Sequence, residues 1–126
     1  MISTVSLVAL GGALGAACRY LFGVGVMRLT GPAEFPLAIL SVNIIGSFLM
    51  GLFVVAAAQK GLAHFSPLVM TGLLGGFTTF SAFSLEAVTL MERGQIALAG
   101  AYVALSVVLS IGGLMLGLWI ARGVLA

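Results

Sequence analysis

The residues best able to do chemistry in this 126-residue chain are amides, hydroxyls and phenyl rings. It has three acidic side chains, all glutamate, with one histidine and one cysteine. That is too little material for a carboxylate pair or a metal-ligand cluster, so an enzyme is not expected. Donors that suit a small anion are present instead. Asn43 carries an amide, and Tyr102, Ser106 and Ser110 place three hydroxyls at every fourth residue, on one face of a helix.

The segment from Gly75 to Ser84 combines paired glycines with threonines, serines and two phenylalanines. Such a sequence favours an α-helix poorly, and a broken helix inside a membrane frees backbone carbonyls that can coordinate a cation. The alternative is an intact helix whose hydroxyls bond back to the preceding turn. The composition favours the break, around residues 75–79.

Two side-chain sets allow both a structural and a functional interpretation. Phe80 and Phe83 share a helix face; they pack in a core, or they present positive ring edges to an anion. Asn43 either makes an interhelical hydrogen bond or offers its NH₂ group to an anion. The hydroxyl stripe is either a donor track or the scatter of serines common in membrane helices.

The elements that must position these side chains are membrane helices. Hydrophobic residues make up 62% of the chain and charged residues 6%, with a mean hydropathy of +1.31. Eight formal charges cannot cover a soluble globule, so we expect a lipid bilayer as the solvent. The basic residues are scattered, which argues against nucleic-acid binding. Four stretches are long enough to span, about residues 5–27, 35–58, 66–90 and 96–120, and predict a single all-α integral membrane domain over residues 1–126.

Short polar connections separate these spans. Arg28–Glu34 contains a turn sequence, and Gly61 follows the second span at a position typical of a helix C-terminus. Ser66 and Pro67 predict an N-cap for the third span. The uncharged first segment is expected to be a retained span rather than a removable signal.

The basic residues are balanced across the predicted membrane. Lys60 and Arg122 fall on one side, and Arg28 and Arg93 fall on the other. Arg19 lies inside the first span, nearer the second side, and is the only tilt in this balance. Orientation in the membrane follows the excess of Lys and Arg on one side. A chain with equal counts on both sides can therefore insert both ways and form an antiparallel homodimer. A chance tie in so uncharged a chain is the alternative.

Glycine spacing points to close helix packing. Gly11 and Gly15, Gly72 and Gly76, and Gly113 and Gly117 are pairs four residues apart, and Ser47 and Gly51 continue the pattern. Small residues let membrane helices approach closely. Stripes on several helices offer more packing surface than one four-helix bundle uses.

Four segments in this order resemble the small fluoride channels of bacteria, the Fluc or CrcB family. They are residues 11–20 (GGALGAACRY), 43–48 (NIIGSF), 75–86 (GGFTTFSAFSLE) and 92–94 (ERG). The resemblance covers nearly the whole chain. One departure is Ala82, where many relatives carry threonine; it changes the polarity beside the phenyl rings without removing either ring.

The resemblance implies an antiparallel, dual-topology homodimer in the bacterial cytoplasmic (inner) membrane, with the third of four helices broken mid-membrane. It also implies two fluoride pathways and a central structural sodium ion. Gly75 and Thr78 would offer backbone carbonyls to the sodium, and Arg19 would lie near a vestibule. The fluoride pathway would be formed by Asn43, Thr79, Phe80, Ser81, Phe83, Tyr102, Ser106 and Ser110.

Two other classes of membrane protein compete with a channel. A small dual-topology multidrug exporter also has four short spans, but it needs a carboxylate in its first helix for proton coupling, and residues 5–27 contain none. A structural subunit of a larger complex would explain the glycine stripes, but not the Gly-Gly-Phe-Thr-Thr-Phe sequence in the third span.

Overall fold

The computed structural model describes residues 1–33 and 35–125, so Glu34 of the predicted first turn lies outside it. The described chain is all-helical. Helices α1 (Ile2–Thr30) and α2 (Leu37–Lys60) are followed by a third span, Ala63–Glu92, and by helix α5 (Ile96–Leu125). All four are long and apolar enough to cross a membrane. The third span consists of a 3₁₀ turn (Ala63–Phe65), a π-helical segment (Pro67–Leu74), one α-turn, α3 (Gly75–Phe77), and helix α4 (Phe80–Glu92).

Most helix ends extend past the spans predicted from hydropathy, because the terminal turns are helical but not uniformly apolar. The second helix instead begins later, at Leu37 rather than residue 35. Pro36 precedes it, and a proline disfavours helical geometry in the residue before it. Gly61 is left-handed, with φ 68°, and its N–H donates to the Ala57 carbonyl, which confirms the predicted C-terminal glycine.

Ser66 directly precedes the π-helical segment and Pro67 begins it, as predicted, but the predicted side-chain cap is absent. Ser66 already has helical angles (φ −55°, ψ −42°), and its side chain makes no capping hydrogen bond. The helical path begins three residues earlier, at Ala63. Ser66 therefore lies inside the first helical turns, where its hydroxyl is not needed as a cap for unpaired backbone N–H groups.

The predicted interruption of the third helix is present, at Thr78 and Thr79. Thr78 (φ −85°, ψ 162°) and Thr79 (φ −154°, ψ 124°) are both extended. The two glycines stay helical in α3, so the chain bends immediately after them. Extended backbone in a membrane span requires partners for its polar groups, and α2 supplies those of Thr79 through Asn43.

Glycines bring the helices together in two pairs. A Cβ atom at Gly11 or Gly15 of α1 would collide with backbone atoms of Leu68 or Leu73 in the third span. A Cβ at Gly51 of α2 or Gly117 of α5 would meet the backbone of the opposite helix. The close approach predicted from glycine spacing is thus confirmed at these positions. At the other end, Phe83, Leu90 and Tyr102 contribute to a buried cluster between α4 and α5.

Candidate functional site: a polar cavity at the helix break

Asn43 holds the broken backbone through both ends of its amide. Its Nδ2 donates to the Thr79 carbonyl at 3.0 Å, and its Oδ1 accepts the Thr79 N–H at 2.8 Å. The side chain thus replaces, from α2, the partners that Thr79 loses where the helix opens. One of the two Nδ2 hydrogens makes this bond, and the second remains for another acceptor.

Thr79 also begins the helix that follows the break. Its Oγ1 accepts the Ala82 N–H at 3.1 Å as an N-cap, and it lies 3.4 Å from the Ser81 hydroxyl. These bonds redirect two amides. In a continuous helix, Thr79 N–H would bond the Gly75 carbonyl and Ala82 N–H would bond the Thr78 carbonyl. Both amides donate to side chains here, so these two carbonyls lose their usual helical donors.

Arg19 reaches the same break from α1. Its Nε donates to the Gly76 carbonyl at 3.1 Å. The positively charged guanidinium group of α1 thus pairs with a backbone carbonyl next to the break in the third span. Arg19 contacts the backbone of the third span and does not line the cavity described below.

Phe80 and Phe83 form an aromatic pair with very different surroundings. Their ring centroids are 5.5 Å apart, with 50° between the planes. Phe83 is 8% exposed and its ring centroid lies 5.2 Å from that of Tyr102, whereas Phe80 is 79% exposed on the surface of the single chain. One ring is therefore part of the core, and the other projects away from it.

The hydroxyl stripe on α5 faces inward. Tyr102 is 0% exposed and Ser106 is also buried. The hydroxyl oxygens of Tyr102, Ser106 and Ser110 are buried without a hydrogen-bond partner in the part of the chain that the structure describes. Buried hydroxyls are normally paired, so these three remain available as hydrogen-bond donors.

A cavity of about 370 Å³ joins these features. Of the residues predicted from the sequence, the ones that line it are Asn43, Thr78, Thr79, Phe80, Phe83, Ser106 and Ser110. Tyr102 adjoins it through Phe83, and Ser81 through Thr79. Gly75 and Arg19 do not line it. The cavity thus combines amide and hydroxyl donors with phenyl rings between α2, the break and α5.

Two features of the site were missed from the sequence. Met50 and Leu114 add apolar lining, and Met50 lies seven residues after Asn43, a spacing that places both on one helix face. Glu86 lines a separate cavity of about 190 Å³ with the end of α1 and the start of α2. No residue spacing within the third span predicts this second cavity, because its other walls come from distant segments of the chain.

A small multi-pass membrane protein with a cavity at a broken helix, lined by amide, hydroxyl, phenyl and aliphatic side chains, is the class that this fold and site define. The described residues hold no cluster of three or more His, Cys, Asp or Glu side chains that could bind a metal ion.

Comparison with known proteins then identifies the family. Residues 6–118 match the family described as CrcB-like protein, Camphor Resistance (CrcB). The chain is 66% identical over 125 residues to "Fluoride-specific ion channel FluC" of Ruegeria sp. (strain TM1040), covering 99% of each chain. It is 63% identical to the protein of that name from Cereibacter sphaeroides (strain ATCC 17029 / ATH 2.4.9), over 100% of each chain. The protein of that name from Agrobacterium fabrum (strain C58 / ATCC 33970) is 50% identical, over 94% of this chain and 95% of its own.

The chain belongs to the CrcB family, and the resemblance drawn from its motifs is confirmed. This is a family of ion channels rather than enzymes. The protein is accordingly a multi-pass protein of the cytoplasmic membrane.

Proposed function

We propose that this protein conducts fluoride passively and selectively through the cavity at the helix break, and so lowers cytoplasmic fluoride. The observation that carries the proposal is the row of three buried, unpaired hydroxyls on α5 beside the Phe80–Phe83 pair. The names of the similar proteins support fluoride as the ion.

The lining suits a small, strongly hydrated anion. The remaining N–H of Asn43 and the hydroxyls of Ser106 and Ser110 replace water as donors along the path. The positive edges of Phe80 and Phe83 attract the anion without the deep binding well that a lysine or arginine would create. Thr79 and Ser81 add hydroxyls at the break, and Tyr102 extends the donor track behind Phe83.

Conduction alone accounts for export. Hydrogen fluoride is a weak acid that crosses membranes as a neutral molecule and dissociates inside, so the ion accumulates. A negative-inside potential drives an anion outward with about 2.3 kcal/mol per 100 mV. Neither an ATP-binding motif nor an acid in the first span is then needed, and neither is in the sequence.

The working unit in this proposal is an antiparallel homodimer. Phe80 is 79% exposed on the single chain although it adjoins the cavity, which supports its insertion against a second copy. The tied Lys/Arg count and the glycine faces support opposite orientations of the two chains. Two pathways would result, each with walls from both chains.

A structural sodium ion between the two chains completes the proposal. Its support is the pair of carbonyls, at Gly75 and Thr78, whose helical donors are diverted to Asn43 and Thr79. Carbonyl oxygens at a helix break are the donor set that a hard cation prefers. Bound there, sodium would supply positive charge that fixes the two breaks against each other.

The function is tested by anion efflux from liposomes that contain the purified protein. We expect fluoride release driven by a potassium diffusion potential, and chloride release at the level of protein-free liposomes. Proton-coupled drug uptake by the same liposomes is the control for the exporter alternative. Comparable chloride and fluoride release would contradict selectivity, and drug uptake without fluoride release would assign the protein to the other class.

A further inference from the structure

A second concave surface lies away from the helix break, and every residue that lines it is apolar. This groove has a volume of about 500 Å³ and lies between α2, the π-helical segment and the end of α5. Phe53 and Ala56 of α2, Leu73 of the third span and Val124 of α5 are among its walls. Its volume falls within the roughly 300–1,000 Å³ of small-molecule sites.

The groove and the polar cavity use different faces of α2. The polar cavity takes Asn43, Gly46 and Met50, whereas the groove takes Leu49, Phe53 and Ala56. At about 100° per residue these two stripes diverge by more than a quarter turn. The groove and the cavity at the break therefore open in different directions around α2.

Two basic side chains lie in the last turns of α2 and α5, the helices that supply most of the groove residues. Lys60 follows Ala56 by four residues, so it continues the groove's stripe of α2 by one turn. Arg122 lies in the last turn of α5, three residues before the groove residue Leu125. Both are exposed, and the nearby His64 is the other titratable side chain described at this end. The opposite end is mixed, since Arg93 there adjoins Glu92.

We propose that this groove binds one acyl chain of an anionic membrane phospholipid, with the phosphate at Lys60 and Arg122. At this depth the surrounding solvent is lipid, so a hydrocarbon chain fills an apolar groove without leaving a void. Basic side chains at the membrane boundary attract the anionic headgroup. An apolar groove with basic side chains in the adjoining last turns matches the two chemical parts of an anionic lipid.

The test places a fluorescent reporter in the groove. The chain has one tryptophan, Trp119, which is 74% exposed and does not line the groove. In the double variant Phe53→Trp, Trp119→Phe the only indole lies in the groove. Reconstituted into mixed vesicles, it should be quenched more by brominated phosphatidylglycerol than by brominated phosphatidylcholine at equal mole fraction. The native Trp119 protein reports ordinary annular lipid and should show little preference.

Charge and shape are then tested separately in the reporter background. Lys60→Gln should lower the preference for phosphatidylglycerol about fivefold, and adding Arg122→Gln should remove it. Arg93→Gln is the matched control and should leave it unchanged. Ala56→Phe fills the groove and should reduce quenching by both lipids. Fluoride efflux, retained in all these variants, confirms that each is folded.

Three results would overturn the proposal. Equal quenching by the two lipids would mean that the groove holds unselected annular lipid. An equal loss of preference in Arg93→Gln would mean a general surface charge effect. Protection of the groove indole from both lipids would mean that another protein chain covers it.

Discussion

At the scale of single residues, the site depends on an amide that imitates a peptide group. Asn43 donates to and accepts from the same residue, Thr79, at 3.0 and 2.8 Å. A carboxylate offers only acceptors and cannot donate to the Thr79 carbonyl, and a hydroxyl that made both bonds would have no further proton for the cavity. The same side chain therefore fixes the break and presents its second N–H to the cavity.

The first prediction concerns Asn43→Asp, which keeps the shape of the side chain and removes the donor. The carboxylate would face the Thr79 carbonyl, leaving an unpaired acceptor at a cost of about 1–3 kcal/mol. It would also place negative charge on the proposed anion path. We expect fluoride efflux from liposomes to fall by more than tenfold, since each 1.36 kcal/mol added to a barrier is about tenfold in rate.

Ser47→Ala is the control for that variant, because Ser47 lines the same cavity from the same helix. It should reduce efflux much less, and both variants should elute as dimers in size-exclusion chromatography. Undiminished efflux in a correctly folded Asn43→Asp protein would remove Asn43 from the pathway.

The second prediction separates the two phenyl rings. Phe80→Ile and Phe83→Ile should both suppress fluoride efflux, because each removes a ring edge from the cavity. Only Phe83→Ile should lower the stability of the fold, by about 1–3 kcal/mol, since Phe83 is buried in the core cluster. Thermal unfolding in detergent, measured beside efflux, checks both halves. Normal efflux in Phe80→Ile would contradict the aromatic role.

At the scale of elements, the break depends on a threonine that caps the helix after it. The third prediction is that Thr79→Val lowers stability by about 1 kcal/mol, because the Ala82 N–H loses its acceptor. Thr79→Ser keeps the hydroxyl and should retain the cap. Fluoride efflux should follow the same order, with Thr79→Ser close to the unmodified protein. Equal behaviour of the two variants would show that the cap is not what holds α4 in place.

The fourth prediction compares adjacent glycines of α1. A Cβ at Gly11 would lie 2.7 Å from the Leu73 amide nitrogen and 2.9 Å from the Gly72 Cα, whereas a Cβ at Gly12 meets no described atom within 4 Å. Gly11→Ala should therefore force α1 away from the third span and destabilise by about 1–3 kcal/mol. Gly12→Ala should be neutral or stabilise by up to about 1 kcal/mol. Unfolding in detergent distinguishes them, and equal stabilities would contradict the close packing.

The sequence predicted local features of these elements well. Hydropathy indicates four spans, Gly61 indicates a helix end, and the Gly-Gly-Phe-Thr-Thr run indicates the break. It does not indicate that the glycines remain helical while Thr78 and Thr79 extend. That outcome depends on Asn43, which is 36 residues away in the chain, and Arg19 bonds Gly76 across 57 residues. Nor does any local pattern predict the π-helical geometry of Pro67–Leu74.

At the scale of the whole molecule, the exposure of Phe80 and the balance of basic residues both bear on how two chains would assemble. A single chain leaves Phe80 exposed beside its cavity, and outside the spans the sequence places two basic residues on each predicted side of the membrane. In an antiparallel pair, both orientations are needed in one membrane. Equal Lys/Arg counts on the two sides are then a requirement for assembly, because a bias toward one orientation would leave no oppositely oriented chain to pair with.

The fifth prediction follows from that tie. In the unmodified protein, a tag on either terminus should be found on both sides of the membrane. Gln59→Lys with Ala63→Lys adds two charges beside Lys60, and should turn that end of every chain toward the cytoplasm. Such a chain lacks an antiparallel partner, so cells that carry it alone should be sensitive to fluoride.

Thr30→Lys with Ala33→Lys adds two charges beside Arg28 and should give the opposite orientation and the same sensitivity. Because the two biased chains together supply both orientations, their co-expression should restore resistance. Resistance with either biased chain alone, in a single orientation, would contradict the antiparallel pair.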